Sequence, residues 1–227
     1  MRYITEQELR DLFSKGIPEE YMLPWDAKLT PAARQYLIDL RLYRLESGKE
    51  CCEKAAGTKP EHMTHLTAGQ LTHKTHPRIA LRGKLDSLEA EILLAEITAK
   101  ERGAHSLITS LEDSLALTRR ILAAEVTGKP LGDWLLHGMT PAQVHDASHH
   151  PQSFGFSGHV LPSAKQGMIA ALLNRLRTLV RETELTAVHA FCQGDGPCCR
   201  EDLLLALNRL SSYFYILQLQ AIKEQEG

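Results

Sequence analysis

The sequence lacks the features that mark several large classes of protein. It has no run of about 18 apolar residues, and its N-terminal stretch is charged without an apolar core, so neither a membrane span nor a secretion signal is predicted. The formal net charge of −2 gives no general attraction to nucleic acid or to anionic lipid. We therefore expect a soluble, cytoplasmic protein that binds neither nucleic acid nor membranes.

Common nucleotide and hydrolase signatures are also missing. The chain contains no GxxxxGKS/T, no GxGxxG and no GxSxG, so P-loop, Rossmann and α/β-hydrolase sites are not predicted. No Glu-x-x-His pair lies on a long helical segment, which argues against a di-iron carboxylate bundle. The hydrophobic fraction of 43% is nevertheless that of a globular protein, so a sizeable core is expected.

Cysteine is odd in number, with two adjacent pairs, Cys51–Cys52 and Cys198–Cys199, and a single Cys192. In a chain of 227 residues this count predicts reduced thiols or a metal site rather than a disulfide framework. Cys51 and Cys52 with His62 and His65 would suit zinc or iron, but their spacing matches no closed four-ligand pattern. We assign no metal ligand among them.

A histidine-rich stretch lies between Pro141 and Pro162. His145 and His149 are four residues apart, with His150 next to His149, and the pair would coordinate a metal ion if it lay on a helix. Nearby proline and glycine favour a loop instead. We therefore predict a long irregular loop over 141–162, of the kind that is either functional or disordered.

Long helical patterns dominate the rest of the chain, with no alternating strand pattern between them. Residues 1–60 are predicted to form an N-terminal helical extension and linker, with a helix after Thr5 and another from Pro31 that ends before Gly48. The segment 61–227 is predicted to form a helical bundle with long helices over Leu81–Arg102, Ser106–Thr127, Ala170–Phe191 and Arg200–Glu224. Met63–Ile79 has no helical period and is predicted to be an ordered loop with a short extended piece.

The helix Ala170–Phe191 carries charge beside its apolar face. Arg177, Arg181 and Glu184 share one stripe, at a helical spacing of three to four residues. The stripe suits either an ordinary amphipathic helix with an Arg181–Glu184 pair or a site for an anion. The apolar face itself is formed by Ile169, Leu173, Leu176, Val180 and Ala187.

Two further polar groups leave a similar choice open. The first is a row of polar side chains on the leucine-rich last helix, which consists of Asn208, Ser211, Ser212 and Tyr215. These side chains would hydrogen-bond either to neighbouring helices or to a ligand. A basic cluster at the start of the Leu81–Arg102 helix would form either a solvated edge or, with Arg177 and Arg181, a polyphosphate site. It consists of Lys74, Arg78, Arg82 and Lys84.

Three separated segments resemble the cobalamin adenosyltransferases of the PduO type. They are KTHPRIALRGKLDSLEAEIL (Lys74–Leu93), LRTLVRETE (Leu176–Glu184) and LLALNRLSSYFY (Leu204–Tyr215). The segments LPWDAKLTPAARQYL, MTHLTA and HVLPSAKQG resemble the ethanolamine-utilisation (EutT-type) branch more closely still. The resemblance implies an all-α, five-helix bundle that forms a homo-oligomer, usually a trimer, with active sites between subunits. It also suggests a flavin reductase or a microcompartment protein as partner.

In this family the 5′-deoxyadenosyl group of ATP, with Mg2+, is transferred to the cobalt of a corrinoid, which is held without its lower axial ligand. By resemblance, Arg181, Glu184, Arg177 and Asp86 are the catalytic residues, the last two as an ion pair across the subunit interface. The implied ATP ligands are Lys74, Arg78, Arg82, Arg181, Glu184 and Asn208, with Thr64, His65 and Thr67 placed by position alone. The loop 141–162 would cover cobalamin, through Phe154, Phe156 and His159.

The sequence departs from the family pattern at three points. The T-x-T-G-D-x-G phosphate loop is replaced by MTHLTAGQLTHK, and Ser212 stands in place of an aspartate. The metal motif of some EutT-type members is incomplete, because Ala55 occupies the position of its third cysteine. Two other functions therefore stay open, a non-catalytic corrinoid or nucleotide chaperone or sensor, and a metal-binding bundle.

Overall fold

The computed structural model describes residues 2–14, 16, 21, 27–40, 59–67, 69–192 and 196–226. They fall into two compact units, Met1–Thr58 and Lys59–Gly227. Cys51, Cys52 and Ala55, the end of the second predicted helix and most of the predicted linker lie outside the described residues. No helix in the described ranges is both long and apolar enough to cross a membrane.

The first unit pairs two short helices with two short strands. Strand β1 (Arg2–Ile4) runs parallel to β2 (Ala27–Leu29), while α1 spans Glu6–Leu12 and α2 spans Pro31–Asp39. The predicted starts of both helices are confirmed. Thr5 caps α1 in a reciprocal box with Glu8, and Thr30 accepts a hydrogen bond from the backbone of Ala33 in α2. A small core holds the unit together, made of Ile4, Leu9, Phe13, Ala27, Ala33 and Leu37.

The second unit is a bundle of four long helices, a short helix and a hairpin. Its elements are β3 (Met63–Thr67), β4 (Gln70–His73), α3 (Pro77–Glu101), α4 (Ile108–Thr127), α5 (Pro141–His149), α6 (Gly167–Phe191) and α7 (Glu201–Glu226). The long helices lie where the periodicity predicts them. Gly103 and Gly128 end α3 and α4, since each adopts the left-handed conformation, with φ of 72° and 71°.

The predicted apolar stripe on α6 forms the core together with an apolar face of α3. Leu85, Leu88, Ile92 and Ala95 of α3 are buried, and so is the whole predicted α6 stripe. They pack against α7, whose residues 213–219 are all buried because other helices surround that part of it. Burial of this many leucine side chains is the main source of stability, at about 25 cal/mol per Å² of apolar surface.

Two interpretations of secondary structure are wrong in part. Met63–His73 is an antiparallel hairpin with a register shift between His65 and Thr67, rather than a loop. Pro141–His149 is helical because Thr140 forms a capping box with Gln143 and proline fits the first turn of a helix. The chain is irregular later in that predicted loop, over 155–162.

The cysteines also differ from the prediction. Cys192 and Cys198 form a disulfide where the chain turns from α6 into α7, so these two are not reduced thiols. The physical reason is that Cys192 and Cys198 pair as an isolated antiparallel bridge with Cα atoms 4.2 Å apart, which a count of cysteines cannot reveal. Cys199 is a free thiol and is exposed.

Arg200 and Asp202 fix the start of α7 against the end of α4. Arg200 donates to the Asp202 carboxylate from Nε at 2.9 Å and Nη2 at 3.0 Å, and it donates to the Ala124 carbonyl from Nη1 at 3.0 Å. The backbone N–H of Leu131 donates to Asp202 at 2.9 Å. Led by the Arg200 hydrogen bonds, these contacts lower the pKa of Asp202 from 3.8 to about 2, against the opposing effect of burial.

We expect Asp202→Asn to lower the thermal midpoint at neutral pH, by an amount that shrinks in acid. Because the folded-state pKa is depressed, the carboxylate contributes stability above its unfolded-state pKa of 3.8 and loses it as the pH falls toward about 2. The unfolding free energy of the unaltered protein should exceed that of Asp202→Asn by about half as much at about pH 3 as at about pH 5. Thermal unfolding of both proteins over this range checks the prediction, which a constant difference would contradict.

Candidate active site

Two predicted site residues from distant segments meet between α6 and α7. Asn208 Nδ2 donates a hydrogen bond of 2.9 Å to Glu184 Oε1, and Arg209 Nη1 donates one of 2.5 Å to Asn208 Oδ1. The turn between the helices makes them antiparallel neighbours, which brings residues 24 positions apart together. Glu184 is half-buried and Asn208 is exposed. The pair is therefore accessible to a ligand.

Arg181 lies one turn before Glu184 and is exposed. No ion pair joins it to Glu184 or to any other carboxylate in the described residues, so the amphipathic-helix alternative with an Arg181–Glu184 pair is not what the structure shows. The neighbouring Glu182 is paired instead, with Lys84 Nζ at 2.9 Å. Lys84 thus links α3 to α6, whereas Arg181 makes no hydrogen bond or ion pair with a described residue.

Arg78 and Arg82 share one buried carboxylate that the sequence interpretation missed, Glu125 of α4. Arg78 Nε and Arg82 Nε lie 2.5 Å from Glu125 Oε1 and Oε2 respectively. Arg82 also donates to the carbonyls of His65 and Leu66, at 3.2 and 2.7 Å. The signal was present in the sequence, because position 125 follows the buried stripe of α4.

The hairpin β3–β4 leads directly into the start of α3. Lys74 follows β4 and is exposed, while the side chain of His76 accepts the N-terminal cap hydrogen bond of α3 at 3.1 Å. Thr64 is half-buried, and His65 and Thr67 are exposed on β3. Hairpin, lysine and helix N-terminus therefore meet at one end of α3, which is a favourable place for an anion.

A second group connects α7 with the chain before α6. The Tyr215 hydroxyl lies 2.9 Å from His159 Nδ1 and accepts the backbone N–H of Val160 at 3.3 Å. The Arg177 guanidinium carbon lies 5.9 Å from the centre of the Tyr215 ring. The polar row on α7 therefore makes contacts with two neighbours, through Asn208 and through Tyr215.

The remaining candidates are separate from these groups. Phe154 packs on the core and lines a cleft of about 610 Å³ with Tyr213 and Ile216, and Phe156 is half-buried. Asp86 is exposed, and no contact joins it to Arg177 in the part of the chain described.

The histidine pair does lie on a helix, contrary to the loop interpretation. His145 and His149 are exposed on α5, with ring centres 4.4 Å apart, and His150 Nδ1 lies 3.3 Å from the Asp146 carboxylate. No cluster of three or more metal-ligating side chains occurs within the described ranges. Two exposed histidines fall short of a closed metal site.

Two protein-family models together match most of this chain. A family model described as cobalamin adenosyltransferase matches residues 55–221, and one described as corrinoid adenosyltransferase EutT N-terminal domain matches residues 3–59. This chain belongs to the cobalamin adenosyltransferase family. Membership confirms the predicted family and the predicted class of enzyme, a transferase that acts on cobalamin.

Similar proteins cover nearly the whole chain. The corrinoid adenosyltransferase EutT of Escherichia coli strain K12 is 32% identical over 254 residues, spanning 98% of this chain and 93% of that protein. The Salmonella typhimurium EutT is 32% identical over 250 residues, spanning 97% and 92%. These relatives confirm the predicted resemblance to the EutT branch.

The fold has a solved counterpart. A variant PduO-type ATP:co(I)rrinoid adenosyltransferase from Lactobacillus reuteri, complexed with ATP, has a TM-score of 0.53, with 21% identity, over 72% of this chain and 91% of that chain. At this identity the likeness shows the fold alone. The predicted all-α, PduO-type architecture is confirmed.

Proposed function

We propose that the chain transfers the 5′-deoxyadenosyl group of ATP to cob(I)alamin at a site centred on Glu184 and Asn208. The observation that carries the proposal is their 2.9 Å hydrogen bond, which joins the two helices that the family resemblance places on the nucleotide. In this reaction the cobalt(I) electron pair forms a bond to C5′ of ATP. The bond between C5′ and its oxygen breaks, and tripolyphosphate leaves with that bond's electron pair.

The cations around the site suit the leaving group. Arg181 has donors available on α6, and Lys74 and the exposed edge of Arg78 lie at the start of α3. Tripolyphosphate carries growing negative charge as the C5′–O bond breaks, so donors aimed at it stabilise the transition state more than the ground state. Thr64, His65 and Thr67 would complete the phosphate contacts from the hairpin.

Glu184 also fits a magnesium ion. Its Oε1 accepts from Asn208, while Oε2 has no hydrogen-bond partner among the described residues, so one carboxylate oxygen is available. Protein magnesium sites of nucleotide enzymes commonly use one or two carboxylates, with phosphate oxygens and water as the other ligands. Bound there, Mg2+ would neutralise phosphate charge.

The corrinoid would lie on the side of His159 and the aromatic residues before it. Tyr215 holds His159 in place through the 2.9 Å contact, and Phe154 and Phe156 offer apolar surface nearby in sequence. An aromatic side chain in the position of the lower axial ligand would keep cobalt four-coordinate and exclude water. This arrangement makes reduction to cobalt(I) easier, because no axial ligand donates to the metal.

Exposed apolar side chains support a homo-oligomer with the site between subunits, which we propose to be a trimer. The exposed face of α3 beyond Asp86 is apolar, and an apolar patch also follows Arg181 on α6. These positions are Ala90, Leu93, Leu94 and Ile97 on α3, and Leu185 and Val188 on α6. A second copy covering them would bring Asp86 and Arg177 of different subunits together.

The physiological setting follows from the same resemblance. The match to a EutT N-terminal model supports adenosylcobalamin supply for ethanolamine utilisation in the cytoplasm. The N-terminal unit would dock the enzyme to a microcompartment protein or to a flavin reductase. Such a reductase would deliver the electron that converts cob(II)alamin to cob(I)alamin.

An anaerobic assay with ATP, Mg2+ and chemically generated cob(I)alamin tests the proposed reaction. We expect cob(I)alamin to disappear with formation of equal amounts of adenosylcobalamin and tripolyphosphate. Binding of ATP and corrinoid measured by calorimetry under the same conditions is the control for a folded, competent protein. Binding of both without any product would overturn the proposal in favour of a chaperone or sensor.

A further inference from the structure

Glu125 of α4 is a carboxylate in the protein interior, where an unpaired charge is energetically unfavourable. Its side chain is 0% exposed, and removing a carboxylate from water is unfavourable unless partners compensate it. Both of its oxygens are taken by arginines of α3, one turn apart. One carboxylate against two guanidinium groups leaves the cluster with a net positive charge, next to the start of a helix.

The two arginines are held in different ways. Arg78 uses Nε on the Glu125 carboxylate and Nη2 on the Glu125 carbonyl, at 2.7 Å, which fixes the plane of its guanidinium group. Its Nη1 makes no hydrogen bond to a described residue, and its side chain is 24% exposed. Glu125 therefore immobilises one edge of Arg78 and leaves the other edge for an external anion.

Arg82 is turned inward. Its side chain is only 16% exposed, and its donors go to Glu125 and to the carbonyls of His65 and Leu66 in β3. Through Arg82, Glu125 thus ties the hairpin to the same point that fixes Arg78. One buried carboxylate therefore contacts both Arg78 and the arginine that binds the hairpin.

We propose that Glu125 is a positioning residue for the triphosphate of ATP, acting through Arg78, and that Arg82 is its link to the hairpin rather than a phosphate ligand. This inference rests on the proposed function, in which Arg78 contacts the triphosphate. Glu125 itself touches neither substrate. Its removal should therefore weaken the use of ATP without changing the use of the corrinoid.

The test is a double-mutant cycle with Glu125→Gln, Arg78→Ala and the double variant, assayed at varied ATP and varied cob(I)alamin. We expect each single variant to raise KM for ATP about tenfold and to leave KM for cob(I)alamin unchanged. The effects of the two substitutions should be less than additive, because the part of the Glu125 effect that acts through Arg78 is already lost in Arg78→Ala, and only the part that acts through Arg82 and the hairpin remains. Glu89→Gln is the matched control, since Glu89 pairs with Arg119 across the same two helices, at 3.0 Å.

The outcomes separate the inference from the proposed function. An ATP KM that changes in Arg78→Ala but not in Glu125→Gln would overturn the positioning role alone, as would strictly additive effects. An unchanged KM in Arg78→Ala would overturn the placement of Arg78 and the inference with it. Should Glu125→Gln fail to fold, Glu125→Asp keeps the charge but withdraws the carboxylate, and the same rise in KM for ATP is expected.

Discussion

Replacing Arg181 with alanine is expected to lower kcat for adenosyl transfer by about two to three orders of magnitude, because one preorganised donor to a developing charge is worth that much. Arg181 is exposed one turn from Glu184, and no carboxylate in the described residues pairs with it. Its charge is therefore available to tripolyphosphate as the C5′–O bond breaks. Steady-state rates with cob(I)alamin at saturating ATP measure the effect.

Arg175→Ala is the matched control for that variant. Arg175 lies on the same helix, but its guanidinium group is paired with Glu91 at 2.6 Å. The control should keep nearly full activity, since it removes the same charge from α6 without removing a donor from the site. Equal kcat values for the two variants would show that Arg181 is misplaced in the proposed site.

Charge reversal at either member of the proposed interface pair is expected to abolish activity almost completely. Co-expression of the two reversed variants should restore part of the activity. Asp86→Arg would set two arginines against each other across the interface, and Arg177→Asp two aspartates, at a cost of several kcal/mol of repulsion. In an oligomer formed by co-expressing both variants, about a quarter of the interfaces would carry an unaltered Asp86 and Arg177 by random assortment.

Activity of the purified mixed oligomer, compared with each variant alone, measures this recovery. Glu101→Arg is the control, because it makes the same reversal on an exposed carboxylate near the end of α3, away from the pair. It should be nearly as active as the unaltered enzyme. Inactivity of the mixed oligomer, with both variants folded, would place the two residues in one subunit or in no shared site.

Local signals in the sequence predict the long helices well. The α6 stripe, the helix start after Thr5 and the helix start at Pro31 depend on neighbours within a few residues, so the sequence contains them directly. Helix α5 was misjudged for a related reason. Its proline lies at the first turn, where proline favours a helix rather than breaking one.

Contacts between distant segments were harder to predict. Family resemblance implies that Glu184 and Asn208 each contact the nucleotide, but it does not predict the bond between them, because periodicity places each residue on a face and does not say what that face meets. Glu125 continues the buried row of α4, but its role is not predictable from that spacing alone, because periodicity does not identify Arg78 and Arg82 as its partners. The Cys192–Cys198 bond depends on the turn that joins the helices, which composition does not specify.

The contacts at the end of α4 have a consequence for anyone who wishes to alter this enzyme. The Ala124 carbonyl receives Arg200 at the start of α7, and the adjoining Glu125 receives both arginines of α3. In the proposed site, two successive residues thus hold both Arg78, which would contact the triphosphate, and the start of α7, the helix that carries Asn208. Libraries aimed at other nucleotides should keep this dipeptide fixed and vary the hairpin positions Thr64, His65 and Thr67 instead.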